Sequence, residues 1–205
     1  MTIALFYDTE TTGLPLFKEP SEDPRQPHIV QLAALLVDLN TRKTLACMNM
    51  ICRPDGWEIP EEMAAIHGIT NEQALLEGLP ESYVLSTFRE LHEIADERIA
   101  HNESFDARII RIAIKRILCD DELADAWKAG NADCTARLTT PICSIPPTSK
   151  MTKAGFLKFK TPNLQEAYQH FFGKPFEGAH DAMADVLACK DVYFAIIDRQ
   201  QGEAA

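Results

Sequence analysis

The sequence has no Cys-x-x-Cys pair and no zinc-type spacing, although six cysteines stand at 47, 52, 119, 134, 143 and 189. That argues against a zinc framework and predicts reduced thiols in a cytoplasmic protein, several of them core fillers. No apolar run approaches the roughly 20 residues that a bilayer crossing needs, so no membrane association is expected. The first residues lack a basic segment and a small-residue cleavage site, so no secretory signal is expected either. Basic residues are few beside acidic ones, 20 against 31, and the net charge is −11. This argues against a protein that coats nucleic acid by charge alone. It leaves room for one that grips a few phosphates through bound cations, because metal-holding acids make such a protein acidic. Internal repeats and low-complexity tracts are also missing.

What is present is an ordinary globular composition. The chain has 205 residues, 46% hydrophobic and 25% charged, which suits one domain with a substantial core. We expect that domain over 1–199 and a polar C-terminal tail over 200–205. Residues 3–7 are a continuous apolar run, as in a strand covered on both faces. Residues 15–28 contain four prolines and many charges and read as a surface loop. Residues 29–37 and 44–52 read as two strands, and the short turn between them makes an antiparallel hairpin. Helices are predicted from Pro60 to near Gly68, over 82–97, from Phe105 to Leu118 with Ser104 as cap, over 163–173, and from His180 to Arg199. Ile99-Ala100 reads as a brief strand. Residues 120–162 look irregular, with one strand near 132–138. Strands first, then helices alternating with short strands, point to an α/β fold with a mixed sheet and helices on its faces.

The first strand runs into "YDTETTGL". Asp8 and Glu10 lie two positions apart and so point to one face, about 6.6 Å apart along the strand. That spacing can flank a metal pair, whose ions sit about 3.5–4 Å apart. Alone it is a weak signal, since Asp120-Asp121-Glu122 repeats the spacing in a polar stretch. Asp106, in "AHNESFD", falls in the first turn of its predicted helix. There an acid complements the helix dipole or serves as a third ligand, and the local pattern favours the dipole role. Asp185, in "HDAMAD", lies on a helix face with Ala188 and Val192 and needs a partner. His180, five residues earlier, would sit about 140° away within a helix. If it precedes the helix, after Gly178, its ring can turn to the same cleft.

Taken together and in this order, the three segments resemble the exonuclease motifs of the DEDDh 3′–5′ exonucleases. That family includes the proofreading subunit of bacterial DNA polymerase III, RNase T and oligoribonuclease. The His180 to Asp185 spacing matches the histidine subtype, and "IPEEMAAIHGIT" at 59–70 is also similar to a family segment. The resemblance implies an RNase H-like mixed five-stranded sheet with helices on both faces, its first three strands antiparallel. It implies that Asp8, Glu10, Asp106 and Asp185 bind two Mg²⁺ or Mn²⁺ ions, with Asp8 bridging them, and that His180 is the general base. Such ions hold the scissile phosphate and activate water, and an imidazole can take a proton at cellular pH. By the same resemblance Thr11, Thr12, Gly13 and Leu14 line the pocket for the terminal nucleotide, His67 lies near the substrate backbone, and Asn102 orders its loop and touches substrate. Asp181 reads as a capping acid, His101 as a structural hydrogen-bonding group and Phe105 as core.

The implied activity is release of nucleoside 5′-monophosphates from the 3′ end of single-stranded nucleic acid, DNA favoured over RNA. The alternatives are an exoribonuclease of the RNase T or oligoribonuclease type, or a proofreading subunit in a DNA polymerase or repair complex. Only about 20 residues follow Asp185, which favours a stand-alone nuclease. Two rivals from other classes are weaker. A haloacid dehalogenase-type phosphohydrolase would have Asp, not Glu, at position 10 and leaves Asp106 and His180 unused. A catalytically inert nucleic-acid-binding module would not need all five motif residues. One feature stands apart from the motifs: Lys150, Lys153, Lys158 and Lys160 interleave with Phe156 and Phe159. It reads either as a solvated loop or as a grip on substrate phosphates.

Overall fold

The computed structural model describes residues 1–203. Strand β1 (Ile3–Thr11) pairs antiparallel with β2 (Ile29–Asp38), and β2 pairs antiparallel with β3 (Lys43–Ile51). On the other side β1 pairs parallel with β4 (Glu97–Ala100), and β4 with β5 (Ala132–Cys134). The order across the sheet is β3-β2-β1-β4-β5. The helices, in chain order, are α1 (Glu61–His67), α2 (Asn71–Glu77), α3 (Glu81–Ile94), α4 (Glu103–Ala113), α5 (Asp121–Ala129), α6 (Thr135–Cys143), α7 (Ser149–Lys153), α8 (Leu164–Phe172) and α9 (Ala182–Glu203). A π-helical turn over Ile114–Leu118 prolongs α4.

Strand alternation sorts the core into two layers. Leu5 and Tyr7 of β1 face Val84, Leu85 and Phe88 of α3, Ile109 and Ile110 of α4, and Trp127 of α5. Ala4 and Phe6 face the opposite way, onto Ala182, Val186, Cys189, Tyr193 and Phe194 of α9. Both faces of the sheet are covered, so β2 is buried along its whole length. Phe6 stacks edge-on to Tyr193 at 5.5 Å. Truncating it to Ala would cost about 3–5 kcal/mol.

Several expected boundaries move. Strand β1 continues through both acids to Thr11, because β2 supplies a partner as far as Ile29. The cap of α4 is Asn102 rather than Ser104, in a left-handed conformation (φ 67°) that Asn tolerates. Most of 120–162, expected to be irregular, is helical. The acids at 120–122 start α5, where the Asp120 carboxylate accepts the Leu123 N–H. The strand near 132–138 ends at Cys134, and its threonine-rich continuation is α6, whose Thr139 and Thr140 hydroxyls return to carbonyls of the preceding turn. Helix α2 is capped by Thr70 and stops at Gly78; seven residues are too few to display a helical period. The Asn163–Glu166 capping box and the left-handed Gly173 stop of α8 are as expected. Helix α9 begins two residues after His180 and runs to Glu203, past Arg199. The last two residues of the expected tail, 204–205, lie outside the described residues.

Candidate active site

The site forms where β4 stops short. Pairing between β1 and β4 ends at Phe6 with Ile99, so the backbone of β1 beyond that point has no strand on this side. A buried peptide N–H needs a partner. Asp106, in the first turn of α4, supplies it: its Oδ1 accepts from the Thr9 N–H at 3.0 Å and the Thr9 hydroxyl at 2.7 Å. An acid on one face of the sheet thereby reaches the edge of β1, between Asp8 and Glu10.

The other face contributes the start of α9. Gln31 lies opposite Glu10 in the register. Its Oε1 accepts the Ala182 N–H at 3.1 Å, and its Nε2 donates to Asp181 Oδ2 at 3.2 Å and to Asn49 Oδ1 at 2.9 Å. Asp181 caps the helix by accepting the Ala184 N–H at 3.0 Å, the role expected for it. His180 precedes the helix in a left-handed conformation (φ 69°), following the left-handed Gly178. Its backbone N–H donates to Asp185 Oδ2 at 3.1 Å. Donor atoms of Glu10, His180 and Asp185 lie within 4.8 Å of one another, a grouping able to hold a metal ion.

Asp8 shares the strand face of Glu10. Burial raises the Asp8 carboxyl well above the usual range, and the charges of Asp106, Asp185 and Glu10 push it further. Burial and the charges of Asp185 and Asp106 raise Glu10 to about 8. Burial raises Asp185 to about 6, against the opposing effects of the His180 N–H and ring. Asp106 is also raised by burial, and the two Thr9 hydrogen bonds hold it back. The charges of Asp106 and Asp185 oppose ionisation of Asp8 and Glu10, so the site is short of positive charge. Hard oxygen donors with one imidazole suit a divalent cation, so the donor set fits the metals that the motifs imply.

The remaining expected residues surround this cleft in different ways. The Thr11 hydroxyl donates to Gly13 O at 2.8 Å, and the Thr12 hydroxyl accepts the His28 N–H at 2.9 Å. The Thr11 hydroxyl and the acceptor side of the Thr12 hydroxyl thus help shape the chain after the strand. Gly13 adopts φ 157° with open space where a Cβ would stand, and Leu14 is 74% exposed beside it. The Asn102 side chain is exposed and makes no capping hydrogen bond, although the residue holds the N-cap position of α4. His67 is 7% exposed, and its Nδ1 accepts the Ile69 N–H at 3.1 Å. The proton of the neutral ring is therefore on Nε2, which has no partner among the described residues. Burial, with the His180 ring nearby, lowers its basicity. His101 is structural, as expected. Its Nε2–H donates to Pro162 O at 3.0 Å, and its Nδ1 meets the Thr135 hydroxyl at 2.9 Å. Phe105 packs against the core.

The RNase T family model, described as Exonuclease, matches residues 5–193. The chain belongs to this exonuclease family. Its motifs are those of the DEDDh group, a family whose membership implies divalent metal ions. No curated protein matches the sequence. Solved structures of E. coli exonuclease I are similar in fold. The complex with a dT13 oligonucleotide has a TM-score of 0.76 at 20% identity, covering 100% of this chain and 42% of the other. The zinc-bound form of the ExoI–ssDNA complex has a TM-score of 0.72 at 20% identity, covering 98% and 41%. The ExoI/SSB-Ct complex has a TM-score of 0.73 at 20% identity, covering 98% and 42%. The chain thus spans about two fifths of the length of those proteins, and its mixed five-stranded sheet is the RNase H-like fold of this exonuclease.

Sequence reasoning missed Thr9 and Gln31. Thr9 gives no signal, because alternation turns its side chain away from the face of Asp8 and Glu10. Gln31 did carry a signal, as the one polar residue in the run "IVQLAALLV", and a buried amide demands partners.

Proposed function

We propose that the protein is a metal-dependent 3′–5′ exonuclease that releases nucleoside 5′-monophosphates from single-stranded nucleic acid, DNA favoured over RNA. The observation that carries this is the meeting of Glu10, His180 and Asp185 within 4.8 Å, at the strand edge that Asp106 reaches from the other face. Asp8, Glu10, Asp106 and Asp185 would hold two ions, Mg²⁺ or Mn²⁺. Bound, the ions would supply Lewis acidity and neutralise charge at the phosphodiester. His180 accepts the proton of the attacking water. The water oxygen bonds to phosphorus, and the bond from phosphorus to the 3′ oxygen of the preceding nucleotide breaks. The mononucleotide leaves with its 5′-phosphate. His67 Nε2–H donates to a substrate oxygen, which relieves its buried, unpaired state. The backbone of Thr11, Thr12 and Gly13, the Leu14 side chain and Asn102 hold the terminal nucleotide. Gly13 lets the chain approach it closely.

The DNA preference draws support from the oligonucleotide complexes of exonuclease I, which has a similar fold. We take residues 1–199 as one exonuclease domain, with a polar tail after it. Six free thiols support a cytoplasmic setting, and no described helix is long and apolar enough to cross a membrane. A polymerase or repair complex is a fitting partner, as the SSB-Ct complex of exonuclease I suggests by analogy. The test is digestion of matched 5′-labelled DNA and RNA oligonucleotides with Mg²⁺ or Mn²⁺. The expected result is stepwise shortening from the 3′ end, faster on DNA, with 5′-mononucleotides as products. Internal cleavage, or full activity in EDTA, overturns the reading.

A further inference from the structure

From Cys134 to Gln165 the chain has five basic residues (Arg137, Lys150, Lys153, Lys158 and Lys160) and no acid, in a protein of net charge −11. His101 holds both ends of this stretch, through Thr135 and Pro162, and it directly precedes the Asn102 cap of the Asp106 helix. Between the anchors lies a groove of about 940 Å³, bordered by Arg137 and Pro141 of α6, Pro146, and the run Leu157, Lys158 and Phe159. Large apolar groups stand out in water here: Phe156 is 66% exposed, Leu157 75% and Phe159 49%. Lys160 is not available, because it pairs with Glu166. Arg137 and Lys158 line the groove, and no described carboxylate pairs with either.

We propose that this groove holds the nucleic-acid strand on the 5′ side of the scissile phosphodiester. Arg137 and Lys158 contact consecutive phosphates, and Phe159 offers its ring to a base. The occupant follows from the chemistry. Cations interleaved with exposed aromatics and no acids match a polyanion whose bases stack. A protein interface would be depleted in lysine. The proposal rests on the exonuclease reading and gives that site its path for the rest of the substrate.

The test is the triple variant Arg137→Ala, Lys158→Ala, Phe159→Ala, assayed on a 15-residue oligothymidylate and on a dithymidine dinucleotide. Affinity for the longer strand is also titrated with Ca²⁺ in place of Mg²⁺ at several salt concentrations. We expect KM for the 15-mer to rise about tenfold or more, with the dinucleotide affected far less. Each single-strand phosphate contact contributes about 0.7 to the slope of log affinity against log salt, so the slope should fall by about 1.4. An unchanged slope and KM overturn the proposal. If the unaltered protein digests neither substrate, the exonuclease reading fails, while the Ca²⁺ titration still reports on the groove.

Discussion

Neutralising Glu10 should stabilise the metal-free protein, and the effect should depend on pH. Glu10 is 8% exposed, and burial with the charges of Asp185 and Asp106 lifts its pKa from 4.5 to about 8. The folded state therefore keeps a proton that the unfolded chain releases near 4.5. Because the folded state binds more protons in this window, stability is fully present below about 4.5 and declines as pH rises to about 8. At about 1.4 kcal/mol per unit, the ceiling on this loss is about 5 kcal/mol. The cleft admits water and its side chains can swing apart, so we expect about 1–3 kcal/mol. Glu10→Gln keeps the shape and removes the charge. In EDTA at pH 8 it should melt about 2–12 °C above the unaltered protein, using about 2–4 °C per kcal/mol for a chain of this size. At pH 4.5 the two should nearly coincide. Saturating Mg²⁺ should raise the unaltered protein strongly and the variant less, since ions bound only to the folded state stabilise it. Differential scanning calorimetry reads all three. A flat melting temperature across pH 4.5–8 in EDTA, or a variant less stable at pH 8, would refute charge crowding as the organising feature of the site.

Three further outcomes follow from the same geometry. Asp8→Ala should abolish Mg²⁺-dependent release of mononucleotides while circular dichroism and melting show an intact fold; near-normal turnover would remove Asp8 from the ion-holding set. His180→Ala should lower turnover by about 10²-fold or more with little loss of metal affinity, because the ring is assigned to proton transfer. Calorimetry showing lost metal binding would make it a ligand instead. Thr9→Val deletes the hydroxyl that orients Asp106 but keeps the Thr9 N–H bond, so metal affinity should fall about 10-fold or more, measured by Mn²⁺ titration. Unchanged affinity would show that the backbone bond alone aims Asp106.

How much of this site was readable in advance depends on whether each residue's role was local. Strand alternation puts Asp8 and Glu10 on one face, a weak signal until the other motifs join it, whereas Asn163 with Glu166 is readable because a capping box closes within one turn. Asp106 was different. In its own helix turn it is an ordinary acid at a positive helix end, and its meaning comes from β4 ending at Ala100, which bares the Thr9 N–H. Only the joint motif pattern pointed to it. The left-handed turn at His180 escaped periodicity in the same way, since a helix drawn from His180 places the ring away from Asp185, whereas the actual start at Ala182 joins them.

The stretch from 120 to 162 was misread for an instructive reason. Helices α5 and α6 are nine residues each, and α6 carries four residues that favour other states: Thr135, Thr139, Thr140 and Pro141. Their helical state is imposed from outside. The outer face of the sheet is already covered by α9, and α6 and α8 pack on α9 through Leu138, Ile142, Ala167, Val192 and Ile196. Tertiary burial thus overrides weak propensity. The same packing leaves the lysine-bearing loop beyond α6 with no core of its own to join. Its phenylalanines stay exposed while His101 pins both flanks beside the Asp106 helix. A segment held that firmly at its base, yet left apolar and cationic at its tip, has a surface that folding does not use, and its chemistry suits the polyanion that we propose as the substrate of the acidic cleft.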